Sequence, residues 1–365
     1  MLSGINEDLA LPLLARRPTL KPSTTPHPSV AGKRVLVTGA GGSIGSELVR
    51  QIARSKPERL ILVDSHEYAL YEISMTLDVQ KQKIDQYPYL VDVRDHRGLS
   101  VLFRNHKPDV VFHAAALKHV PLLENDTNLV EAVKTNVGGT KNVAELCALS
   151  GAEMVFISTD KAVNPSSGMG LTKRCAEILC HGLALEHPSA SIRQVRFGNV
   201  MGSSGSVIPL FRRQIAKGGP ITITHPDMTR FMMSISEAVQ LVLSAADDDA
   251  KGYACYVLDM GEPVKIIDLA RQLVVMAGLK PDDDIAFETI GFRPGEKMHE
   301  ELSYAWERLE PSPFPRVNRA FPAYDPLTRM TDLETLMLAA NKRAASSMKS
   351  LLGMIVPEYS WTVTY

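Results

Sequence analysis

Three features of the sequence predict an α/β fold with a doubly wound parallel sheet. Apolar, β-branched runs alternate with amphipathic helical segments between residues 33 and 200. A glycine-rich turn follows the first run, and the alternation breaks down after Asn199. Continuous apolar strands separated by helices belong to a parallel sheet covered on both faces. The change after Asn199 predicts a smaller C-terminal lobe against the sheet's carboxyl edge, where open α/β sheets bind ligands.

The elements follow in order. KRVLVTGA (33–40) is the first strand, and SIGSELVRQIAR (43–54) carries apolar residues at helical spacing. RLILVD (59–64) is a second strand, HEYALYEISMTLDVQKQ (66–82) a helix, and YPYLVDV (87–93) a third strand. A helix around 97–105 precedes the fourth strand, DVVFHAAA (109–116), and a long helix runs from Leu129 to Ser150. EMVFIST (153–159), a helix over 170–186 and SIRQVRFGNV (191–200) complete this part. Beyond it come a helix near 207–217, a short strand ITIT (221–224), a helix over 236–248, a strand over 253–260 and a helix over 265–278. From about residue 311, proline-rich spacing leads to a helix near 331–352. Residues 16–30 are rich in Pro, Ser and Thr and read as an extended arm. The expected division is an arm over 1–32, a cofactor domain over 33–200 that also receives later segments, a substrate lobe over 201–310 and an extension over 311–365.

Composition narrows the class. The chain has 365 residues, 45% hydrophobic and 22% charged, which is ample for a buried core and excludes a disordered chain. Forty Lys+Arg balance 41 Asp+Glu, so nothing predicts nucleic-acid binding. Cys147, Cys175, Cys180 and Cys255 show no CxxC spacing, so neither a metal site nor a disulfide framework is expected, only reduced buried thiols. No run approaches the ~20 apolar residues that span a bilayer. Leu9–Ala15 is short, holds Pro12 and follows Glu7 and Asp8, the wrong charge order for a secretory signal. A cytoplasmic enzyme is the expectation.

Thr38-Gly39-Ala40-Gly41-Gly42-Ser43-Ile44-Gly45 lies between strand and helix, where glycines permit a tight turn and close approach to a pyrophosphate. Asp64 ends the second strand 19 residues after Gly45, placed either to bind the adenosine ribose or to cap a helix. Ser65, His66 and Glu67 offer no cation for a 2′-phosphate, which favours NAD over NADP. Asp92, followed by Val93, is a candidate for the adenine amino group or a turn cap. Ala114, Ala115 and Ala116 leave room for a cofactor, and His113 reads as a core histidine.

Taken together, TGxxGxxG, the acid ending the second strand, DVRD, HAAA, TNVGGT (135–140) and STDK resemble the extended short-chain dehydrogenase/reductase superfamily. AALKHVPLLE, ISTDKAVNP, GLTKR, RFGNVMGSSGSVIPLF, THPDMTRFMM and RPGEKMHEEL resemble its CapD-type polysaccharide-biosynthesis family, across residues 33–305. That resemblance implies a Rossmann sheet, a recycled NAD that includes Asn136 among its contacts, a UDP-sugar substrate and a homodimer through the helices at 129–150 and 171–186. Many members carry an N-terminal membrane region. INEDLALPLLARRP (5–18) resembles the linker that follows it, so a soluble short member is implied.

In the superfamily, a Tyr-xxx-Lys pair faces the nicotinamide. Here Lys173 is present but Met169 stands where the tyrosine would be, and a thioether has no ionisable proton. Thr159-Asp160-Lys161 ends the fifth strand, and an adjacent carboxylate and amine suit a dehydration, which needs an acid for the leaving hydroxyl and a base for a C–H proton. A loop salt bridge is the alternative. Lys161 acts as a base only when neutral, so its pKa is expected to be depressed. For the substrate, the candidates are Arg230 and Arg293 on the diphosphate, or in surface salt bridges. Asn199, Ser206 and Val207 resemble the family's substrate loop, Thr222 in ITIT could lie against the uracil, and Glu296 could meet the uridine ribose. Lys118 and His119 resemble positions near the sugar. The expected activity is a UDP-N-acetylglucosamine 4,6-dehydratase, with a 4-epimerase or a decayed NAD-binding protein as alternatives.

Overall fold

The computed structural model describes residues 25–79, 84–203 and 205–359. Most of the expected arm over 1–32 lies outside the described residues, as does the end of the helix expected over 66–82. What is described of the arm is pinned rather than extended. His27 Nδ1 lies 2.7 Å from Asp247 Oδ2, and the Ser29 amide donates to Asp247 Oδ1 at 3.0 Å.

The strands are β1 (Arg34–Thr38), β2 (Arg59–Asp64), β3 (Gln86–Leu90), β4 (Val110–His113), β5 (Glu153–Ile157) and β6 (Ser191–Arg196). After them come β7 (Asn199–Met201), β8 (Ile221–Ile223), β9 (Thr229–Arg230), β10 (Met232–Ser234), β11 (Gly252–Leu258), β12 (Val264–Lys265), β13 (Phe287–Thr289), β14 (Arg308–Pro311) and β15 (Val317–Phe321). Nine form one sheet in the order β14-β15-β11-β6-β5-β4-β1-β2-β3, and the remaining six pair as β10-β7, β12-β9 and β13-β8. From β3 to β11 every pairing is parallel, as expected. The edge departs from expectation: β15 runs antiparallel to β11, and β14 antiparallel to β15. The proline-rich spacing hid both strands. Pro311 ends β14, the exposed edge strand, where a residue without an N–H is tolerated.

The helices are α1 (Ser43–Arg54), α2 (Glu67–Val79), α3 (His96–His106), α4 (Val120–Leu123), α5 (Asp126–Ala132), α6 (Thr140–Ser150) and α7 (Gly168–Glu186). They continue as α8 (Val207–Ala216), α9 (Ile235–Ala246), α10 (Ile266–Met276), α11 (Met330–Asn341) and α12 (Ala345–Ile355). The long helix expected over 129–150 is α5, a π-helical segment over Val133–Gly139, and α6. The C-terminal helix expected over 331–352 is broken between α11 and α12, where Arg343 adopts φ +55°.

Alternation along the strands builds two cores. Leu36, Ile61, Val111 and Phe156 pack with Leu102, Val143 and Leu179 from α3, α6 and α7 on one face. Val35, Val37, Leu60 and Phe112 pack with Leu48, Ile52 and Leu241 from α1 and α9 on the other. A third cluster around Phe211, Ile221, Met228, Met232 and Leu269 is the lobe's own core. The methionines of MTRFMMSI (228–235) are packing: Met228 and Met232 lie in the lobe's core and Met233 in the sheet core. All four cysteines are free and buried. No helix among the described residues is long and apolar enough to cross a membrane.

α7 is buried along nearly its whole length, because α11 and α12 of the same chain lie on its outer side. Gly182 permits this approach: a Cβ there would collide with the Met330 thioether. A dimer through α7, as the resemblance implied, would have to displace these helices.

Candidate active site

The crevice opens between β1 and β4, where the strand order reverses. Gly39 adopts φ +65°, and a Cβ on it would sit 2.7 Å from the Ala115 nitrogen. A Cβ on Gly45 would collide with the Gly39 carbonyl oxygen, so α1 can begin this close to β1 only with glycine. Gly42 is the N-cap of α1 with no side chain over the helix end, and the first turn holds no acid. Gly42, Ser43, Ile44 and Gly45 line the crevice at this positive helix end, an environment that fits a pyrophosphate. Asp64 accepts the Gly41 amide and the His66 amide, both at 2.9 Å, which ties the end of β2 to the glycine loop. Gly45→Ala is expected to weaken cofactor binding at least tenfold and to cost about 1–3 kcal/mol of stability. Fluorescence titration with NAD and urea unfolding would measure the two.

Other residues predicted to touch the cofactor divide. Ala114 and Ala116 line the crevice, while Ala115 turns its backbone to Thr38. Asp92 is gripped by Arg94, whose Nε lies 3.0 and 2.9 Å from its two oxygens. Burial pushes the Asp92 carboxyl up, but Arg94 outweighs it and holds it below its ordinary value. Val93 is buried and packs against Gly139. Asn136 is a correction: its side chain is 1% exposed and is spent on Leu117 N, Leu117 O and the Thr172 hydroxyl, at 2.8–2.9 Å. It fixes the segment after β4 rather than reaching the crevice. His113 is the core histidine expected. Burial, aided by Lys173, lowers its pKa to about 3, and Thr38 and Thr140 occupy its two nitrogens.

A cavity of about 350 Å³ continues from the α1 N-terminus to the lobe, within the range of ligand sites. Thr159, Lys161, Met169, Lys173, Asn199, Lys118, His119, Ser206 and Val207 all line it. Thr159 caps a single 3₁₀ turn over Asp160–Ala162, accepting the Lys161 amide on its hydroxyl, and Thr159 and Lys161 line the cavity. Asp160 lies behind them, fully buried. Its Oδ1 accepts the Thr159 hydroxyl and the Lys161 amine, both at 2.9 Å, whereas Oδ2 has no partner and lies against Gly198. Lys161 also donates to Asn199 Oδ1 at 3.0 Å. Met169 is buried on the first turn of α7. One turn on, Lys173 donates to the Ile157 carbonyl at 2.7 Å and lies 4.0 Å from the Phe156 ring centre. Burial lowers the Lys173 ammonium to about 8.

The charge state of Lys161 differs from the expectation. Burial pushes the ammonium down, but Asp160 and Glu300 outweigh it, and the pKa stands above the ordinary lysine value. Glu300, which the sequence reading passed over, is nearly buried, with Oε1 3.7 Å from Lys161 Nζ. Only its place in the HEEL segment of RPGEKMHEEL pointed to it. Lys118 at the rim is held below its ordinary value by burial and by Lys161. His119 packs against Gly205, and its pKa is lowered by burial and Lys118.

The predicted diphosphate and uridine residues fare unevenly. Ser206 is the N-cap of α8 without a side-chain cap bond, and Ser206, Val207 and Ile208 line the cavity. Arg230 is a correction: it is buried and donates to the carbonyls of Thr229 at 2.6 Å, Lys297 at 2.9 Å and Met298 at 3.2 Å. Its guanidinium staples the RPGEK loop to β9. Thr222 is likewise absorbed, since its hydroxyl accepts from Gln214 at 2.8 Å. Arg293 is exposed, and its amide donates to Glu296 Oε2 at 3.1 Å. Neither Arg293 nor Glu296 lines the cavity.

Next to the Thr159-Asp160-Lys161 turn lies a buried ionic network. Glu177, one turn beyond Lys173, accepts from the Ser158 hydroxyl and from Arg196 Nε and Nη2, each at 2.7 Å, and from Arg174 at 3.2 Å. Arg196 also donates to Glu307 at 2.7 Å. Arg174 lies between the rings of Tyr304 and Tyr324, 4.8 and 4.7 Å away. The Tyr304 hydroxyl bridges the Ala162 carbonyl at 2.9 Å and Glu358 at 3.1 Å.

Comparison with known proteins agrees with this architecture. A family described as "Polysaccharide biosynthesis protein" matches residues 35–322. The probable polysaccharide biosynthesis protein EpsC of Bacillus subtilis strain 168 is 47% identical over 84% of this chain and 51% of its own length. The chain therefore spans about half of that relative. An inverting UDP-N-acetylglucosamine 4,6-dehydratase of Campylobacter jejuni is 35% identical over 74% of this chain and 77% of its own. A UDP-glucose 4-epimerase of Rickettsia typhi is 36% identical over the same shares. Among solved structures, Pen from Bacillus thuringiensis superposes with a TM-score of 0.71 at 32% identity, covering 81% of this chain and 89% of its own. The dTDP-glucose 4,6-dehydratase DesIV of Streptomyces venezuelae, solved with NAD and DAU, shares the fold with a TM-score of 0.64 at 22% identity, over 74% and 88%. By sequence match and by fold, the chain belongs to the polysaccharide biosynthesis protein family, on the Rossmann sheet of the extended short-chain dehydrogenase/reductases.

Proposed function

We propose that this protein is a UDP-N-acetylglucosamine 4,6-dehydratase using NAD. The observation that carries the reading is the Thr159-Asp160-Lys161 turn facing a cleft in which Met169 replaces a proton-carrying tyrosine. The glycine loop and Lys173 would hold a nicotinamide dinucleotide, which when bound would supply a hydride acceptor for C4 of the sugar and a hydride donor for C6. The chain's residues handle the protons. Thr159 touches the cavity and Asp160 does not, so the C4 hydroxyl proton passes through the Thr159 hydroxyl to Asp160. The 4-ketone acidifies the C5 hydrogen, which Lys161 removes in its neutral form. Asp160 returns its proton through Thr159 to the departing 6-hydroxyl, and water leaves. One carboxyl serves both steps, and Met169 shapes the wall. The positive N-terminal end of α8 suits the sugar nucleotide's diphosphate, and that of α1 the cofactor's. Ser65, His66 and Glu67 support NAD over NADP, as no cation stands ready for a 2′-phosphate.

Incubation with UDP-N-acetylglucosamine in deuterated water tests the reading. Loss of one water, a 6-methyl group and deuterium at C5 are expected. A C4-inverted sugar of unchanged mass would instead make the protein an epimerase, the reading its Rickettsia relative favours.

A pH dependence follows for the cofactor. A lysine is charged below its pKa, so Lys173 is mostly charged at pH 7 and becomes neutral as pH rises through about 8. If its ammonium holds the nicotinamide ribose, NAD affinity should fall roughly tenfold from pH 7 to 9, the worth of a charged hydrogen bond. Calorimetric titration should show this fall in the parent and not in Lys173→Met.

A further inference from the structure

We propose that Glu300 is the positioning residue that takes the surplus proton from Lys161, so that the amine can act as base. The inference rests on the dehydratase reading and on a count of protons. The C4 hydroxyl gives one proton to Asp160, and a protonated Lys161 must lose another before it can attack C5–H. One carboxyl cannot hold both, and a second buried carboxyl faces the same amine.

Glu300 is built for this. Its side chain is 4% exposed, and Oε1 lies 3.7 Å from Lys161 Nζ and 3.8 Å from Arg230 Nε. Oε2 is buried and has no hydrogen-bond partner among the described residues, so a proton can settle there without breaking a bond. Arg230, fixed by three backbone carbonyls, holds the carboxylate in place. The 3.7 Å gap exceeds a hydrogen bond by about 0.7 Å, a distance the flexible lysine stem closes by a small rotation once substrate displaces its bond to Asn199.

The charges acting on Lys161 are Asp160 and Glu300, which favour the ammonium, and Arg230, which opposes it. Lys118 at the rim and Lys297, bonded to the Val163 carbonyl, add positive charge nearby. When Asp160 takes the C4 proton, Lys161 loses its nearest negative partner and the cations dominate. The ammonium N–H bond then breaks toward Glu300, leaving a neutral amine and a carboxylic acid. The amine takes the C5 proton, the C5–H pair forms the enolate that expels the 6-hydroxyl, and Asp160 supplies that hydroxyl's proton. Reprotonation at C5 by Lys161 restores the neutral amine, which recovers its proton from Glu300.

Single-turnover kinetics of the full chain with UDP-N-acetylglucosamine in deuterated water test this, comparing the parent with Glu300→Gln and Glu300→Asp. In the Gln variant, nicotinamide reduction should stay within about threefold of the parent, while water loss and C5 deuteration slow by roughly 10²–10⁴. Its dehydration should also rise about tenfold per pH unit between roughly pH 6 and 8, because the ammonium must now lose its proton to solvent. Glu300→Asp should restore much of the rate. A Gln variant with parental rates and pH profile overturns the inference. So does equal loss of both steps without rescue by Asp, which would mark a structural role. A parent with no turnover overturns the dehydratase reading itself, and the inference falls with it.

Discussion

Asp160→Asn is expected to abolish nicotinamide reduction as well as water loss, lowering turnover by about 10²–10⁴. Asparagine keeps the shape and can still accept from Thr159 and Lys161, but it cannot hold a proton. In a site with a tyrosine base, the first oxidation would survive such a change. Here Asp160 is the fully buried carboxyl to which the cavity-lining Thr159 hydroxyl donates. Thr159→Val should reproduce most of the loss by cutting the relay. Met169→Leu should leave turnover within a few-fold, since it conserves volume and removes no proton carrier. Stopped-flow absorbance of the reduced nicotinamide separates the steps, and normal reduction in the Asn variant would end the single-carboxyl scheme.

Glu177→Ala should be the most destabilising of the changes considered, by about 3–5 kcal/mol, because it removes the carboxylate shared by two buried arginines, leaving Arg196 to Glu307 and Arg174 to Glu358. Both guanidinium groups are at most 3% exposed, and Glu177 is wholly buried. Burial pushes the Glu177 carboxyl up, but Arg196 and Arg174 outweigh it and hold it below its ordinary value. A carboxyl so lowered contributes its full stabilisation above the ordinary carboxylate range and loses it only as pH falls through the lowered value. Urea unfolding at neutral pH measures the effect. A loss under about 1 kcal/mol would mean that water or Glu307 replaces the missing charge. Replacing Glu334, an exposed partner of Lys141, should shift stability by less than about 1 kcal/mol and serves as the control.

The parts of the fold legible in the sequence were those that local pattern determines. Strands such as Val35–Val37, apolar at every position, and glycines 39, 42 and 45 can be read without knowing what packs on them. The antiparallel pair β14 and β15 at one end of the sheet could not, because β14 is exposed along its length and β15 alternates too briefly among prolines to be read. Thr159, Lys161, Met169 and Lys173 line one cavity, since a strand end and one helix turn fix their places. Arg230 looked like a phosphate ligand because its residue type suits one. Whether a guanidinium meets a ligand or three backbone carbonyls depends on a loop that arrives nearly 70 residues later. Glu300 was missed for the same reason. Its partner is Lys161, and no local pattern joins them.

The Tyr304 hydroxyl that joins Ala162 to Glu358 has a consequence for biogenesis. A protein leaves the ribosome amino end first, and its domains tend to fold in that order. The Rossmann strands and the Thr159-Asp160-Lys161 turn emerge early, but the floor beneath that turn stays unfinished until Glu358 has emerged. A nascent chain thus completes its glycine loop well before the Thr159-Asp160-Lys161 turn is held in register. Chains truncated after Ala323 should separate these two stages.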